Sequence, residues 1–193
     1  MRYDEKSPFY RLLNTKYVRW KEWQGLWIVH RHPEIVQLEW PGPDEQGRPF
    51  VEGSTALHYA ANDGKIHLVK KLIDSGADPN ASNAKWYRSV LSWAANNARL
   101  NVIQYLCEHG ASPQSLDALH AAAWGGSGQG KGEEERYGKT IRMLAHYGAD
   151  VNDTRYFNHR TPLDVALESG NLGAIEALID LGAVRNHKKT ISL

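Results

Sequence analysis

Apolar residues recur along this chain in a two-stripe pattern that repeats four times. In the first copy one stripe begins at Leu57 and includes Ala60 and Ala61, and a second begins at Leu68 and reaches Ile73. Both stripes have the three- and four-residue spacing of a helix that buries one side. Each copy is therefore predicted to consist of two short helices.

The copies keep a constant internal length. The interval from the first leucine to the glycine that ends the second helix is 19 residues in three copies, namely Leu57–Gly76, Leu91–Gly110 and Leu163–Gly182. In the third copy the interval Leu119–Gly148 is 29 residues, so this copy carries a ten-residue insertion, within "GGSGQGKGEEERYGK" at 125–139. Repetition at a fixed period predicts an all-α fold in which the helix pairs stack as a solenoid.

Two motifs of the first copy give the repeat a family resemblance. The stretches "TALHYAA" and "GADPN" resemble the ankyrin repeat, and the resemblance extends over residues 53–183. It implies helix–turn–helix units with short projecting β-hairpin fingers. In the family the motif histidine, here His58 and His120, bonds to backbone of the adjoining finger. Ser92 and Asp164 stand at that position in the other two copies.

The chain is predicted to have three segments. Residues 1–52 form a divergent helical first repeat or cap, residues 53–183 form the ankyrin-like repeats, and residues 184–193 form a basic tail. Trp20, Trp23 and Trp27 lie on one helical stripe of the first segment. We interpret them as core residues, because the end of a solenoid needs a cap that covers its apolar side.

Charge and composition narrow the functional classes. The formal net charge is +1, which does not favour nucleic acid or an anionic membrane. One cysteine, Cys107, suits a reducing compartment, and the first residues lack the apolar region of a signal peptide. No apolar run approaches the roughly 18 residues of a membrane span. We therefore expect a cytoplasmic protein without a membrane segment.

Two surfaces of such a stack are predicted to bind a partner. The exposed sides of the inner helices and the finger tips carry aromatic, amide and arginine side chains, the types enriched at interface hot spots. The candidate residues are Trp93, Asn96, Asn97 and Trp124 on the inner helices, and Trp86, Tyr87, Arg88, Arg155, Tyr156, Phe157 and His159 on the fingers. The finger aromatics have a second interpretation, in which they fold back onto neighbouring fingers.

Loop lengths place these fingers on either side of a shorter one. The intervals Gly76–Leu91 and Gly148–Leu163 are 15 residues, whereas Gly110–Leu119 is 9. The trimmed finger predicts a notch with aromatic walls that could accept a side chain or loop of a partner. A tolerated deletion without functional meaning explains the lengths equally well.

The insertion almost matches a phosphate-binding loop. Gly125, Gly130 and Lys131 have the P-loop spacing, but Gly132 stands where a hydroxyl residue belongs. A P-loop also follows a strand, and here a short helix is expected instead. We interpret "GGSGQGKG" as a flexible Gly-rich loop that extends the turn, and "GEEER" as a possible start of a longer outer helix.

The resulting hypothesis is a monomeric, non-catalytic module that binds a protein partner of unknown identity, as a dedicated inhibitor (immunity-type) or an adaptor. No catalytic, cofactor-binding or metal-ligating residue is predicted. Two alternatives remain open. One is a sensor or enzyme that binds a phosphorylated ligand through the Gly-rich insertion. The other, disfavoured by the near-neutral charge, is a single-stranded nucleic-acid binder that uses Trp86, Tyr87, Tyr156 and Phe157 for stacking.

Overall fold

The computed structural model describes residues 22–39, 53–83, 88–114, 117–125, 131–155 and 159–186. An N-terminal helix α1 (Glu22–Arg31) and a short 3₁₀ helix (Pro33–Gln37) precede four helix pairs. The first two pairs are α2 (Ala56–Asp63) with α3 (Ile66–Asp74), and α4 (Val90–Asn96) with α5 (Leu100–Glu108). The last two are α6 (Ala118–Trp124) with α7 (Lys131–His146), and α8 (Pro162–Ser169) with α9 (Leu172–Asp180).

The pairs stack in chain order, which confirms the predicted all-α repeat architecture. The inner helices α2, α4, α6 and α8 each contact the next, and the outer helices α3, α5, α7 and α9 form a second layer. α1 packs on α3, and the 3₁₀ helix packs on α2. No helix of the described residues has the length and apolar character needed to cross a membrane.

Alanines allow the inner helices to approach one another. Ala60, Ala94, Ala122 and Ala166 share one position of the repeat, and each is at most 2% exposed. The leucine that opens each inner helix and the leucine near the end of each outer helix complete one continuous core. Close packing at small residues is what makes the stack rigid.

Local signals explain where the helices begin and end. Thr55 and Thr161 each begin an inner helix as a capping box, with His58 and Asp164 as the reciprocal partners. Gly64 ends α2 in the left-handed conformation at φ 73°. Ala98, at the equivalent place after α4, is held at φ 48°, which an L-residue adopts less readily than glycine.

The finger between the first two pairs is described only at its base. Ser82 and Ser89 form an isolated antiparallel bridge, and the Asn83 amide donates to the Arg88 carbonyl at 3.1 Å. The described residues contain no β-strand, so the β-hairpin fingers implied by the family resemblance stay a prediction.

The interpretation of Trp27 as a core residue is wrong. Its side chain is 54% exposed, and the Arg31 guanidinium lies 5.4 Å from its ring centroid. Ile28 and Val29 provide the buried contacts of α1 instead. Trp20 and the side chain of Trp23 lie outside the described residues.

The second half of the insertion is a packed helix rather than a loop. α7 has 16 residues, whereas the other three outer helices have nine. Its added part runs beside α9, where a Cβ on Gly173 would lie 1.8 Å from the Glu134 carbonyl oxygen. The backbones therefore touch. The helix includes "GEEER", in agreement with its interpretation as the start of a longer outer helix, and it also includes Lys131 and Gly132, which corrects the expectation of a flexible loop for these two residues. Residues 126–130 lie outside the described part.

Candidate partner-binding surface

Trp124 is the most exposed of the four candidate residues on the inner helices. It ends α6, and its side chain is 49% exposed. The equivalent residues of the other pairs are Asn62, Asn96 and Glu168, all polar. A large aromatic side chain thus stands on the inner-helix surface where the other repeats present amides and a carboxylate.

The backbone beside Trp124 is fixed by close contacts of Gly125 with the neighbouring inner helix and with Tyr137. A Cβ on Gly125 would lie 2.5 Å from both the Asn96 carbonyl oxygen and the Tyr137 ring. Tyr137 is buried, and its hydroxyl donates to that same carbonyl at 2.9 Å. Trp124 is therefore held on a rigid element, which limits the entropy lost when a partner binds.

Trp93 is half-buried between the first and second repeats. Its ring makes edge-to-face contacts with His58 and Tyr59, at centroid distances of 5.4 and 5.2 Å. Such contacts stabilise the stack by about 0.5–1.5 kcal/mol each. Trp93 consequently has a structural role, and only part of its ring is available to a partner.

The amides of the inner face are partly used within the stack. Asn97 donates from Nδ2 to the Asn62 Oδ1 at 2.9 Å and to the Trp93 carbonyl at 3.1 Å. Asn96 is half-buried and accepts the Tyr137 hydroxyl at its carbonyl. The two asparagines join repeats, and their remaining polar atoms lie on the same surface as Trp124.

The finger candidates divide into described and undescribed residues. Trp86, Tyr87, Tyr156 and Phe157 lie outside the described residues, so the notch that they would line stays a prediction. Arg88 is half-buried, and its carbonyl accepts the Asn83 amide and the His58 Nε2–H. Their part in binding stays a prediction.

Arg155 joins two fingers at their bases. Its guanidinium pairs with Asp153 at 2.7 Å and donates to the Gln114 carbonyl of the trimmed finger at 3.2 Å. This ion pair lowers the pKa of the Asp153 carboxyl, with the hydrogen bond from Arg155 as the largest cause. His159 is exposed at φ 62°, and its carbonyl accepts Asn186 Nδ2 at 2.6 Å. Arg155 and His159 therefore belong to the base of one finger, between the third and fourth repeats, and Arg155 links it to the trimmed finger.

Sequence reasoning missed an open groove at the turns between inner and outer helices. It has a volume of about 320 Å³ and is lined by Asp63, Gly64, Ala98, Arg99, Leu100, Asn101 and Arg136. Arg99 donates from Nε to the Asn62 carbonyl at 3.0 Å, and Arg136 donates to the Ala98 carbonyl at 3.3 Å. Arg136 comes from the insertion, whose position in space no local signal predicts.

The buried histidines are structural. His58 is fully buried, its Nδ1 accepts the Thr55 amide at 3.1 Å, and burial lowers its pKa to about 4. His120 contacts the Arg160 carbonyl at 2.9 Å, and its pKa is also lowered, chiefly by burial. Both are therefore neutral at pH 7, and Nε2–H of each donates to a finger base. This arrangement matches the role that the family resemblance implies.

The second repeat lacks this histidine, and a carboxylate of the third repeat joins the two repeats instead. Asp117 accepts hydrogen bonds from the Ser89 amide and hydroxyl, both at 3.0 Å. Burial raises the pKa of Asp117, while the hydrogen bonds from Ser92 and Ser89 oppose that shift. Across the described ranges, no group of histidine, cysteine, aspartate or glutamate side chains has the arrangement of a metal site.

Comparison with known proteins identifies the repeat. The family model described as "Ankyrin repeats (3 copies)" matches residues 28–117 and 57–155. No curated protein matches the chain. Ankyrin repeats are generally protein-interaction modules, and the family is typically non-catalytic. The two overlapping matches span well over half of the sequence and agree with the stacked helix pairs, so the chain belongs to the ankyrin-repeat family.

Proposed function

We propose that this chain is a non-catalytic module that binds a protein partner across its inner helices and finger tips. The observation that carries the proposal is the 49% exposure of Trp124 on a helix whose backbone is fixed by Gly125 and Tyr137. Tryptophan is one of the residue types enriched at interface hot spots. Its exposure on a rigid element favours recognition without a large ordering cost.

The surroundings of Trp124 suit a polar, hydrogen-bonded interface rim. Asn96 and Asn97 are half-buried on α4, the neighbouring inner helix. Interfaces of this kind combine one desolvated aromatic anchor with polar contacts around it. We include Trp86, Tyr87, Arg88, Arg155, Tyr156, Phe157 and His159 as the finger side of the same proposed surface.

A dedicated inhibitor or an adaptor, acting in the cytoplasm, is the biological role that we infer. Both roles need a preformed surface and no catalytic group. The phosphorylated-ligand alternative gains no support from the helical start of α7, because Lys131 begins a helix and no strand precedes it among the described residues.

Capture of the partner from cells of the source organism tests the proposal. The bait proteins are the wild type, Trp124→Ala and Trp27→Ala, where Trp27 is a matched control with 54% exposure at the N-terminal helix. We expect wild type and Trp27→Ala to retain a common protein that Trp124→Ala loses. Equal capture by Trp124→Ala would contradict the proposed surface.

A further inference from the structure

The groove at the turns between inner and outer helices contains a guanidinium, that of Arg99, which no carboxylate of the described residues neutralises. The side chain crosses Gly64, where an added Cβ would lie 2.9 Å from the Arg99 Cδ. Its Nε donates to the Asn62 carbonyl at 3.0 Å, and its Nη1 and Nη2 have no acceptor among the described residues. The guanidinium is therefore held in place with both Nη groups left to donate.

The other charged groups of the groove are paired with neighbouring side chains. The Asp63 carboxylate pairs with Lys65 Nζ at 3.2 Å. The Arg136 guanidinium pairs with the Glu133 carboxylate at 2.5 Å. Each pair cancels its own formal charge, so the groove is left with the positive charge of Arg99 alone.

Asn101 adds a second free donor to the groove. Its Oδ1 accepts the Val102 amide at 2.9 Å, and its Nδ2 has no acceptor among the described residues. Asn101 is the second residue of α5, and the N-terminus of a helix adds positive potential. The side-chain groups that Arg99 and Asn101 leave free are thus all donors, which suits an oxyanion as the ligand.

The charge of the groove favours a carboxylate over a phosphate. A carboxylate carries one negative charge, which matches the one positive charge that Arg99 leaves uncompensated. A phosphate group carries about −1.5 to −2 at pH 7, and the excess would lie beside Asp63 and Glu133. The two Nη groups of an arginine lie in one plane, the geometry of a bidentate pair with a carboxylate. The groove is open, and its volume of about 320 Å³ has room for an aspartate or glutamate side chain.

The groove adjoins the surface around Trp124. Ala98, which lines the groove, is two residues from Asn96, and the Asn96 carbonyl accepts the Tyr137 hydroxyl. Arg136 and Tyr137 are consecutive residues of α7, so one segment of the insertion contacts both places. A protein segment bound at Trp124 can therefore place an acidic side chain in the groove.

We propose that the groove binds the carboxylate of an aspartate or glutamate in an acidic segment of the protein partner, with Arg99 Nη1 and Nη2 and Asn101 Nδ2 as donors. The inference rests on the proposed function, since it assigns a chemical character to the partner that Trp124 contacts. A charge pair of this kind contributes mainly to the choice of partner and to the rate of association.

Binding of a fluorescently labelled hexaglutamate peptide to the full chain, followed by fluorescence anisotropy at pH 7, tests the groove. Wild type should bind the peptide with a Kd of about 0.01–1 mM, and hexaglutamine should not bind. Asn101→Asp should raise that Kd at least about tenfold, because it places a like charge beside the bound carboxylate. Arg99→Gln should weaken binding to a similar extent.

Arg31→Gln is the matched control, because Arg31 also has no carboxylate partner among the described residues and lies over Trp27 in α1. It removes the same formal charge as Arg99→Gln and should bind hexaglutamate as wild type does. Arg99→Gln also loses the bond to Asn62, so its folding is checked by circular dichroism. If it is poorly folded, Asn101→Asp decides, since an acidic residue in the first turn of a helix preserves stability.

Four outcomes would overturn the carboxylate site. Wild type could fail to bind hexaglutamate up to about 2 mM. Asn101→Asp could bind it as tightly as wild type. Arg31→Gln could lose binding to the same extent as Arg99→Gln. Sodium phosphate could displace the peptide more effectively than sodium acetate at equal ionic strength, which would assign the groove to phosphate. Because the assay does not use the captured partner, these outcomes are distinct from failure of the proposed function, which the capture with Trp124→Ala tests.

Discussion

The Tyr137 hydroxyl donates a hydrogen bond to the Asn96 carbonyl at 2.9 Å, across the joint between the second and third repeats. The carbonyl belongs to the last residue of α4, which has no partner within its own helix. At the other two joints a side chain of the next repeat also donates to a carbonyl of the preceding inner helix. Arg99 donates to the Asn62 carbonyl, and Asn171 donates to the Ala122 carbonyl. The residues around the insertion thus supply the helix cap that joins two repeats.

Tyr137→Phe should destabilise the protein by about 1–2 kcal/mol, because the part-buried Asn96 carbonyl loses its donor while the ring contacts remain. Chemical denaturation, followed by circular dichroism, measures the change in the free energy of unfolding. Tyr147→Phe is the control, since its hydroxyl makes a longer bond of 3.4 Å to Glu108 at an exposed site. Equal stability of Tyr137→Phe and wild type would show that this bond does not hold the joint.

Gly173→Ala should separate α7 from α9. The added Cβ would lie 1.8 Å from the Glu134 carbonyl oxygen, and this contact is backbone, which cannot rotate away. We expect a loss of about 1–3 kcal/mol or more in the free energy of unfolding. Gly132→Ala, on the α7 side of the pair, meets nothing within 4 Å and should leave stability unchanged or slightly raised. Thermal unfolding of both variants measures the change in stability. A wild-type melting temperature for Gly173→Ala would rule out the close contact.

Stability should fall as the pH decreases from about 6.5 towards 4, in part because of His58. Burial lowers the pKa of His58 from 6.5 to about 4, so in this window the unfolded chain binds a proton that the folded chain does not. The stabilisation is complete above pH 6.5 and is lost as the pH falls through the window. It amounts to about 3 kcal/mol at most for this residue.

Comparison of wild type with His58→Gln isolates this contribution. The variant should be less stable at pH 7, because it loses the bonds to Thr55 and Arg88, and its stability should fall less steeply between pH 6.5 and 4. The lowered pKa of His120 leaves part of the slope in place. An unchanged slope in His58→Gln would be inconsistent with a buried neutral His58.

The repeated elements could be predicted from the sequence because their signals are local and recur. Leu57, Ala60 and Gly76 return at fixed intervals, and each repeat contacts mainly its neighbours. The path of the insertion could not be predicted in this way. The packing of α7 depends on the close approach of Gly173 to Glu134. The two residues are distant in sequence, and nothing in the residues around Gly173 indicates that contact.

The candidate surface was predictable only in part. Equivalent positions correctly placed Trp93 and Trp124 on inner helices, yet exposure separates them, since Trp93 packs on His58 and Tyr59. Trp93 was expected to be exposed and is half-buried, whereas the helical spacing of Trp27 suggested burial and its side chain is exposed. Periodicity identifies the stripe of a helix, whereas the neighbouring helices decide how much of that stripe is covered.

The affinity of a captured partner for Trp124→Ala, measured by isothermal titration calorimetry, tests the central claim most directly. We predict a loss of roughly 2 kcal/mol or more, about thirtyfold in Kd, with little change in melting temperature because the side chain is half exposed. Trp27→Ala should bind as wild type does. Wild-type affinity in Trp124→Ala, together with weakened binding in Trp27→Ala, would contradict the account and move the interface to the N-terminal helix.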